Sequence, residues 1–188
     1  SLGYLDQTGM TIYSDYKRYN FRVNSSYKKG IFSLSENIAI THRDKTPTTA
    51  FNISLPTLPI YDSEGRFFSG GGDYYINPED GKAQNKIAPL HYTDRYNKVT
   101  DIIGAITAQL DLWDGLKYKF SFSGNYSNSH NYTHTPEYYT KWNEDGTPDQ
   151  DYGSPKNSIS ESRGEEFTYT IDNLLTYNKT FSGHSIDA

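Results

Sequence analysis

Alternating apolar and polar residues fill long stretches of this chain, and the connections between those stretches differ sharply in length. Two long, mostly polar segments, residues 45–92 and 129–165, each connect two of these stretches. The other connections between long stretches are turns of only two or three residues. These short turns centre on Lys29-Gly30, Trp113-Asp114-Gly115 and Ser182-Gly183. Tight turns along one rim of a sheet and long loops along the other are typical of a membrane β-barrel wall. The pattern therefore predicts an all-β, antiparallel up-and-down meander.

The first hairpin shows the alternation most clearly. In the stretch 17–28 the apolar face consists of Tyr19, Phe21, Val23 and Tyr27, and in the stretch 31–43 it consists of Phe32, Leu34, Ile38 and Ile40. A two-residue turn at Lys29-Gly30 pairs Tyr27 with Phe32, Phe21 with Ile38 and Tyr19 with Ile40, which places both apolar faces on one side. Glu36 falls on that side opposite Val23, where a bulge or a polar neighbour would have to offset its cost.

The second hairpin requires a longer turn. A two-residue Asp114-Gly115 loop would set Leu112 against Lys117, whereas a three-residue turn with Gly115 left-handed sets Leu112 against Leu116. The longer turn also pairs Ala108 with Phe120 and Ile106 with Phe122. In the last stretch, 166–181, the alternation continues through Ile171 and Leu175. The three hairpins together predict one continuous apolar face.

This face has two possible environments. It can touch lipid, or it can cover the core of a large soluble sheet, which would need a second layer; no amphipathic helix in the sequence supplies one. The 18 Tyr and 9 Phe residues fit a membrane-interface belt. They fit equally well the general preference of aromatic residues for strands and binding loops. No uninterrupted apolar run of 18 residues occurs, so no transmembrane helix is expected.

Charge and catalytic residue types exclude several functions. The formal net charge is −5, and no Lys/Arg stripe is present to bind phosphates, so no nucleic-acid partner is expected. The chain has no Cys, which excludes a thiolate zinc site. No triad order or carboxylate pair indicates hydrolysis. The sequence predicts no enzyme, catalytic residue, cofactor or metal site, although acidic groups near 143–153 could hold Ca²⁺ if they are not simply turn residues.

Aromatic residues in the second long loop are the best candidates for ligand binding. The residues singled out are Tyr138, Tyr139, Trp142 and Tyr152, which stand among Asn, Asp and Glu. Aromatic faces beside hydrogen-bonding groups can hold a sugar or a protein partner. The alternative is that these rings pack the loop against its neighbours.

Four short strings carry a family resemblance: YLDQTG at 4–9, SDYKRYNFR at 14–22, DGLKY at 114–118 and DNLLTY at 172–177. Together they resemble barrel strands and a periplasmic turn of SusC-like TonB-dependent transporters. The resemblance extends over nearly all of the strands and is weak in the loops.

The resemblance implies an outer-membrane barrel that imports oligosaccharides or peptides around an internal plug. It implies outer-membrane lipid, a SusD-like surface lipoprotein and the TonB complex as partners of the full-length parent. Transporters of this kind have about 22 strands, so residues 1–188 are expected to be a mid-barrel fragment without plug or signal peptide. The polar face, with Arg22, Asn24, Lys117, Lys119, Thr168 and Asp172, is then expected to point to the lumen. A soluble extracellular carbohydrate-binding β-domain remains the alternative.

Overall fold

The computed structural model describes residues 1–48, 59–70 and 84–188. Residues 49–58 and 71–83 of the first long loop lie outside the described part. The elements are β1 (Leu2–Thr8), β2 (Asp15–Lys29), β3 (Phe32–Lys45), α1 (Ala88–Tyr92), β4 (Asp94–Trp113), β5 (Leu116–Thr135), β6 (Tyr138–Tyr139), β7 (Gly153–Ser154), β8 (Ser158–Phe181) and β9 (His184–Asp187).

Seven strands form one antiparallel sheet in the order β1-β2-β3-β4-β5-β8-β9, and β6 pairs separately with β7. Each strand lies beside its neighbour in sequence, apart from the small β6–β7 pair inserted between β5 and β8. The predicted all-β, up-and-down meander is therefore confirmed. The order is linear, so the sheet is open, which is consistent with a part of a barrel.

The first hairpin turns one residue later than predicted. Lys29 pairs with Phe32, and the turn residues are Gly30 and Ile31 rather than Lys29-Gly30. Gly30 has a φ of +59°, the left-handed value that a type II′ turn requires at its first central position. The predicted pairs shift by two residues as a result: Tyr27 pairs with Leu34, Phe21 with Ile40 and Tyr19 with His42. The predicted register was wrong, but a shift of two leaves every side chain on its predicted face.

The second hairpin confirms the pairs Ala108–Phe120 and Ile106–Phe122. Gly115 is left-handed as predicted, with a φ of +85°. Trp113, not Leu112, lies opposite Leu116, because a β-bulge between Asp111 and Trp113 adds one residue to β4. A bulge of this kind redirects the following side chain. The predicted three-residue turn was therefore wrong: Trp113 belongs to β4, and the turn consists of Asp114 and Gly115.

The third hairpin turns at Ser182-Gly183 as predicted, and both residues have positive φ, +45° and +86°. The strands around the second long loop are longer than predicted. β5 continues to Thr135 and β8 begins at Ser158, so the sheet ladder takes up much of the segment 129–165. Backbone hydrogen bonds continue the ladder where the side chains are mostly polar, and side-chain hydrogen bonds such as that between His130 and Glu161 add to it.

The two faces of the large sheet differ as the alternation predicts. Residues predicted for the lumen, such as Arg22 and Asp172, lie opposite the apolar face. Leu5, Val99, Ile103 and Leu174 interrupt this otherwise polar side. In the described part of the chain, the buried apolar residues all lie in the loops, and none lies on the large sheet. No second layer covers the apolar face there.

One short helix, α1, precedes β4. Within residues 1–48, 59–70 and 84–188, no helix has the length and apolarity needed to cross a membrane.

Candidate lipid-facing band and loop unit

Residues paired across adjacent strands form rows that run across the sheet. On one face, the side chains of five successive rows form what we call the apolar band. Its members are Leu2, Phe21, Val23, Tyr27, Phe32, Leu34, Ile38, Ile40, Ile102, Ile106, Ala108, Leu110, Tyr118, Phe120, Phe122, Tyr126, Phe167, Tyr169, Ile171 and Leu175. Ile106 is 42% exposed, Ile171 52% and Phe167 60%. Large apolar side chains this exposed over one continuous surface indicate an interaction site or a membrane contact.

The height of the apolar band matches a bilayer. Along β3 it extends from Phe32 to Ile40, nine residues, or about 26 Å at the usual rise per residue. A tilted barrel strand crosses the hydrocarbon layer in about 9–11 residues. The band therefore has the length that a membrane-crossing strand needs.

Aromatic rings lie at both borders of the apolar band. At the loop rim, the rings of Tyr4 and Tyr19 are 5.0 Å apart, in the row next to Phe21. At the turn rim, the bulge brings Trp113 into one row with Leu116 and Tyr177. Rings that are apolar at one end and polar at the other are enriched at both membrane interfaces.

Lys29 lies in the lowest row of the apolar band, beside Phe32, and the two polar interruptions above that row both have partners. Ser25, not Val23, lies opposite Glu36 and donates a hydrogen bond to its Oε1 at 2.7 Å. Tyr118 Oη donates to Asn173 Oδ1 at 2.6 Å. The predicted polar neighbour of Glu36 is therefore present, because the shift in register brings Ser25 to it. A partner lowers the cost of a polar group in an apolar surface without removing it.

Charge replaces apolar side chains abruptly above the band. Two rows beyond Ile40, the same face carries Asp6, Lys17, Asp44, Lys98, His130 and Arg163 across six strands. Lys98 Nζ lies 3.8 Å from Asp44 Oδ2, and Lys17 Nζ lies 3.9 Å from Asp6 Oδ2. Alternating charges in exposed pairs of this kind suit water or lipid headgroups. The row marks the upper limit of the apolar surface.

The described residues of the two long loops, 59–70, 84–92 and 136–157, pack together into what we call the loop unit. Its buried apolar residues are Phe67, Ala88, Leu90 and Tyr152. Ser69 N donates to Thr140 O at 2.7 Å, which joins the first loop to the second. The connection between β1 and β2 also takes part, because Tyr13 Oη lies 2.9 Å from His91 Nδ1.

Asn85 is the polar centre of the loop unit. Its Nδ2 donates to the carbonyls of Ile60 and Phe68, each at 2.8 Å, and its Oδ1 accepts from the amides of Ile87 and Ala88, each at 2.9 Å. Asn85 is 6% exposed, and all four hydrogen-bonding positions of its amide are used. This one side chain fixes a hairpin of the first loop against α1.

Two of the four predicted ligand-binding rings are packed inside the loop unit. Tyr152 is 5% exposed, and Lys141 Nζ lies 4.4 Å from its ring centroid. Tyr138 stacks on Tyr92 with centroids 4.8 Å apart, and its burial raises the pKa of the phenol. These contacts hold the two loops together; they leave little of the Tyr152 ring for a ligand, whereas Tyr138 is half-buried.

The other two predicted rings lie at the surface. The centroids of Tyr139 and Trp142 are 6.4 Å apart, and Trp142 is 39% exposed with the Arg66 guanidinium 5.3 Å from its ring. Asp62 holds Arg66 in place through a hydrogen bond from Nε of 2.8 Å, which lowers the pKa of the Asp62 carboxyl. A ligand role for this surface stays a prediction.

Acidic residues of the second loop act as turn residues. Asp145 Oδ1 accepts hydrogen bonds from the backbone and hydroxyl of Thr147, at 2.9 and 2.6 Å, and Asp149 Oδ1 accepts from Asp151 N at 3.1 Å. Among the described residues, no group of three or more His, Asp or Glu side chains is arranged to hold a metal ion.

The residues that build the loop unit, Ser69, Asn85 and Thr140, were not predicted. Ser69 Oγ lies 2.6 Å from Thr140 Oγ1 and accepts from Asn85 N at 2.8 Å. The one available signal was an Asn shortly before Pro89, a pattern that precedes short helices.

A scan of the sequence against protein-family models finds no match, and a search of the curated proteins finds none either.

Proposed function

We propose that this chain forms part of the wall of an outer-membrane, SusC-like TonB-dependent importer, with the apolar band in contact with lipid. The observation that carries this proposal is the band itself. It is continuous over six strands, nine residues high and bordered by aromatic rings, and no described residue covers it.

The lengths of the connections between strands also support this proposal and suggest an orientation in the membrane. The two-residue turns all lie on one rim, and the loop unit lies on the other. In outer-membrane barrels the short turns face the periplasm and the long loops face the exterior. The loop unit would then meet the incoming oligosaccharide or peptide and a SusD-like lipoprotein, and TonB would act from the periplasmic side of the full-length parent. No covalent chemistry is proposed for this chain.

Arg substitutions on opposite faces of β4 test the proposal. In the full-length protein, Ile106→Arg would place a charge near the middle of the bilayer at a cost of about 2–4 kcal/mol, so it should reduce the amount assembled in the outer membrane. Thr107→Arg is the matched control, because its side chain points to the polar face, and it should assemble almost normally. Equal loss in both variants, measured by membrane fractionation, would contradict the lipid assignment.

A soluble carbohydrate-binding domain is the second candidate, and the surface formed by the half-buried Tyr139 and the exposed Trp142 favours it. Fractionation of the unmodified protein distinguishes the two. A soluble domain stays in the supernatant without detergent, whereas a barrel wall requires detergent for extraction. The uncovered apolar band favours the importer, because a monomeric soluble protein rarely exposes so large an apolar surface.

A further inference from the structure

Four cationic side chains meet on the polar face of the sheet, close to the loop rim. Arg18 and Arg43 lie directly opposite each other on β2 and β3. Lys45 follows two residues later on β3, and Arg95 is its diagonal neighbour on β4, since Lys45 pairs with Asn97. Residues in these relations are within reach of one another's long side chains. We call Arg18, Arg43, Lys45 and Arg95 the cationic patch.

Counter-charges for the cationic patch are few. Asp101 pairs with Arg43 and also accepts from Ser127 Oγ at 2.8 Å. Arg18, Lys45 and Arg95 form no ion pair with any described residue. Like charges directly opposite each other on neighbouring strands are destabilising. The fold therefore tolerates an electrostatic cost at this place.

Several nitrogens of the patch are shielded from water and have no partner. Nε of Arg18, Nε of Arg43, and both Nε and Nη2 of Arg95 are inaccessible to water and donate to no hydrogen-bond acceptor among the described residues. Leaving a buried charged donor unsatisfied is costly, and native proteins seldom do so without an ion, a water or a function at that place. Missing acceptors around guanidinium groups indicate a site that an oxyanion would complete.

The positive charge of this face is not explained by composition. The strands of the sheet place eight cations on the polar face, Arg18, Arg22, Lys28, Arg43, Lys45, Arg95, Lys117 and Lys119. They place five anions there, Asp101, Asp111, Glu166, Asp172 and Asp187. The whole chain has a formal net charge of −5. An acidic protein has thus placed an excess of three positive charges on one face (eight minus five), and half of its cations there are in the patch.

Lys45 of the cationic patch also lies in the wall of an open groove at the loop rim, with a volume of about 590 Å³. Gln7, Tyr16 and Thr46 supply neutral polar groups to this wall, and Asp15 supplies a carboxylate. A ligand that enters the groove therefore meets Lys45 first, beside hydroxyl and amide groups to which it can hydrogen bond.

We propose that the cationic patch is a binding site for a small solute that carries two or more oxyanion groups, whether carboxylate, sulfate or phosphate. Arg18 and Arg95 turn their guanidinium groups toward the oxyanions and donate N–H groups to them, Lys45 adds a point charge at the entrance, and Asp101 orients Arg43. The site lies on the face opposite the apolar band, so it does not depend on whether that band contacts lipid.

Calorimetric titration of the purified full-length protein in detergent, at low ionic strength, tests the proposal with inorganic sulfate, inorganic phosphate and citrate as probes. We expect at least one probe to bind, and we expect K45Q and R95Q each to weaken that binding about tenfold, the loss of one charge-assisted hydrogen bond. Tighter binding of citrate identifies a polycarboxylate ligand, and tighter binding of sulfate or phosphate identifies an ester of those acids; either supports the site.

The control variant is K119Q. Lys119 lies on the same face but ten residues away from Arg43 along the sheet, about 33 Å, so its loss should leave binding unchanged. Lys45 is exposed and has no described partner, so K45Q should keep the thermal unfolding midpoint and remains informative even if R95Q fails to fold. Absence of binding by all three probes would overturn the proposal, and so would equal binding by K45Q and the unmodified protein.

Discussion

Glu36 gives the most stringent single-residue test of the proposed lipid contact. It lies in the middle row of the apolar band, between Ser25 and Ile106 on the adjacent strands. The hydrogen bond from Ser25 satisfies one of its oxygens but does not remove the charge. A carboxylate there is therefore tolerated only at a cost if the band faces hydrocarbon.

Glu36→Gln should stabilise the protein. The amide keeps an acceptor for Ser25 and removes the charge, so we expect the free energy of unfolding in lipid vesicles to rise by about 1 kcal/mol. Glu165→Gln is the control, because Glu165 also accepts a side-chain hydrogen bond, from Asn128 at 3.2 Å, but lies above the band. Urea titration followed by tryptophan fluorescence measures both. A stability gain in Glu165→Gln as large as in Glu36→Gln would argue against a lipid contact at Glu36.

At the level of the hairpins, the tight turns depend on glycine to different degrees. Gly30 and Gly115 both have positive φ, but a Cβ on Gly30 would meet nothing within 4 Å, whereas a Cβ on Gly115 would lie 2.4 Å from the carbonyl oxygen of Asn178. Asn178 N also donates to Gly115 O at 2.8 Å, so the turn of one hairpin is in direct contact with β8. The second turn is therefore fixed by tertiary contact as well as by its own conformation.

Ala substitutions should separate these two effects. Gly30→Ala should cost about 1–2 kcal/mol of stability, the price of a left-handed residue with a side chain. Gly115→Ala should cost more, because β5 and β8 must also move apart near the turn. Denaturant unfolding of the two variants, compared with the unmodified protein, measures the difference. Equal losses would show that the contact with Asn178 contributes nothing.

The faces of the hairpins could be predicted from sequence, but their register could not be fixed completely. Alternation assigns each side chain to a face by parity alone, and a turn at Lys29-Gly30 or at Gly30-Ile31 gives the same assignment. The turn forms at Gly30-Ile31, because this places Gly30 at the first central position, where a positive φ is required. In the second hairpin the apolar pattern determined the pairs Ala108–Phe120 and Ile106–Phe122. It did not determine the bulge before Trp113.

The loop unit was largely beyond prediction from sequence. Ser69, Asn85 and Thr140 come from distant positions, and their hydrogen bonds follow no short-range period. Aromatic composition singled out the second long loop. It did not distinguish rings that pack inside the loop unit, such as Tyr152, from a ring that is exposed, such as Trp142. Burial depends on contacts between the two loops, which the residue pattern of either loop does not contain.

For the whole molecule, the two faces of the sheet differ in the chemistry of their side chains. One face carries the apolar band with its aromatic borders, and the other carries polar side chains with an excess of positive charge. A soluble sheet of this size would cover its apolar face with a second layer, and the described residues contain none. The proposed contact of the band with lipid would account for that surface, and the proposed importer function depends on it.

Accessibility of spin labels along β4 measures this contact most directly. Because the chain has no Cys, single Cys substitutions at consecutive positions from Ile102 to Leu110 give one label each within it. In vesicles of the full-length protein, labels at even positions such as Ile106 should be accessible to oxygen, which concentrates in lipid, and labels at odd positions such as Thr107 to a water-soluble nickel complex. Accessibility to the nickel complex at even and odd positions alike would contradict the account.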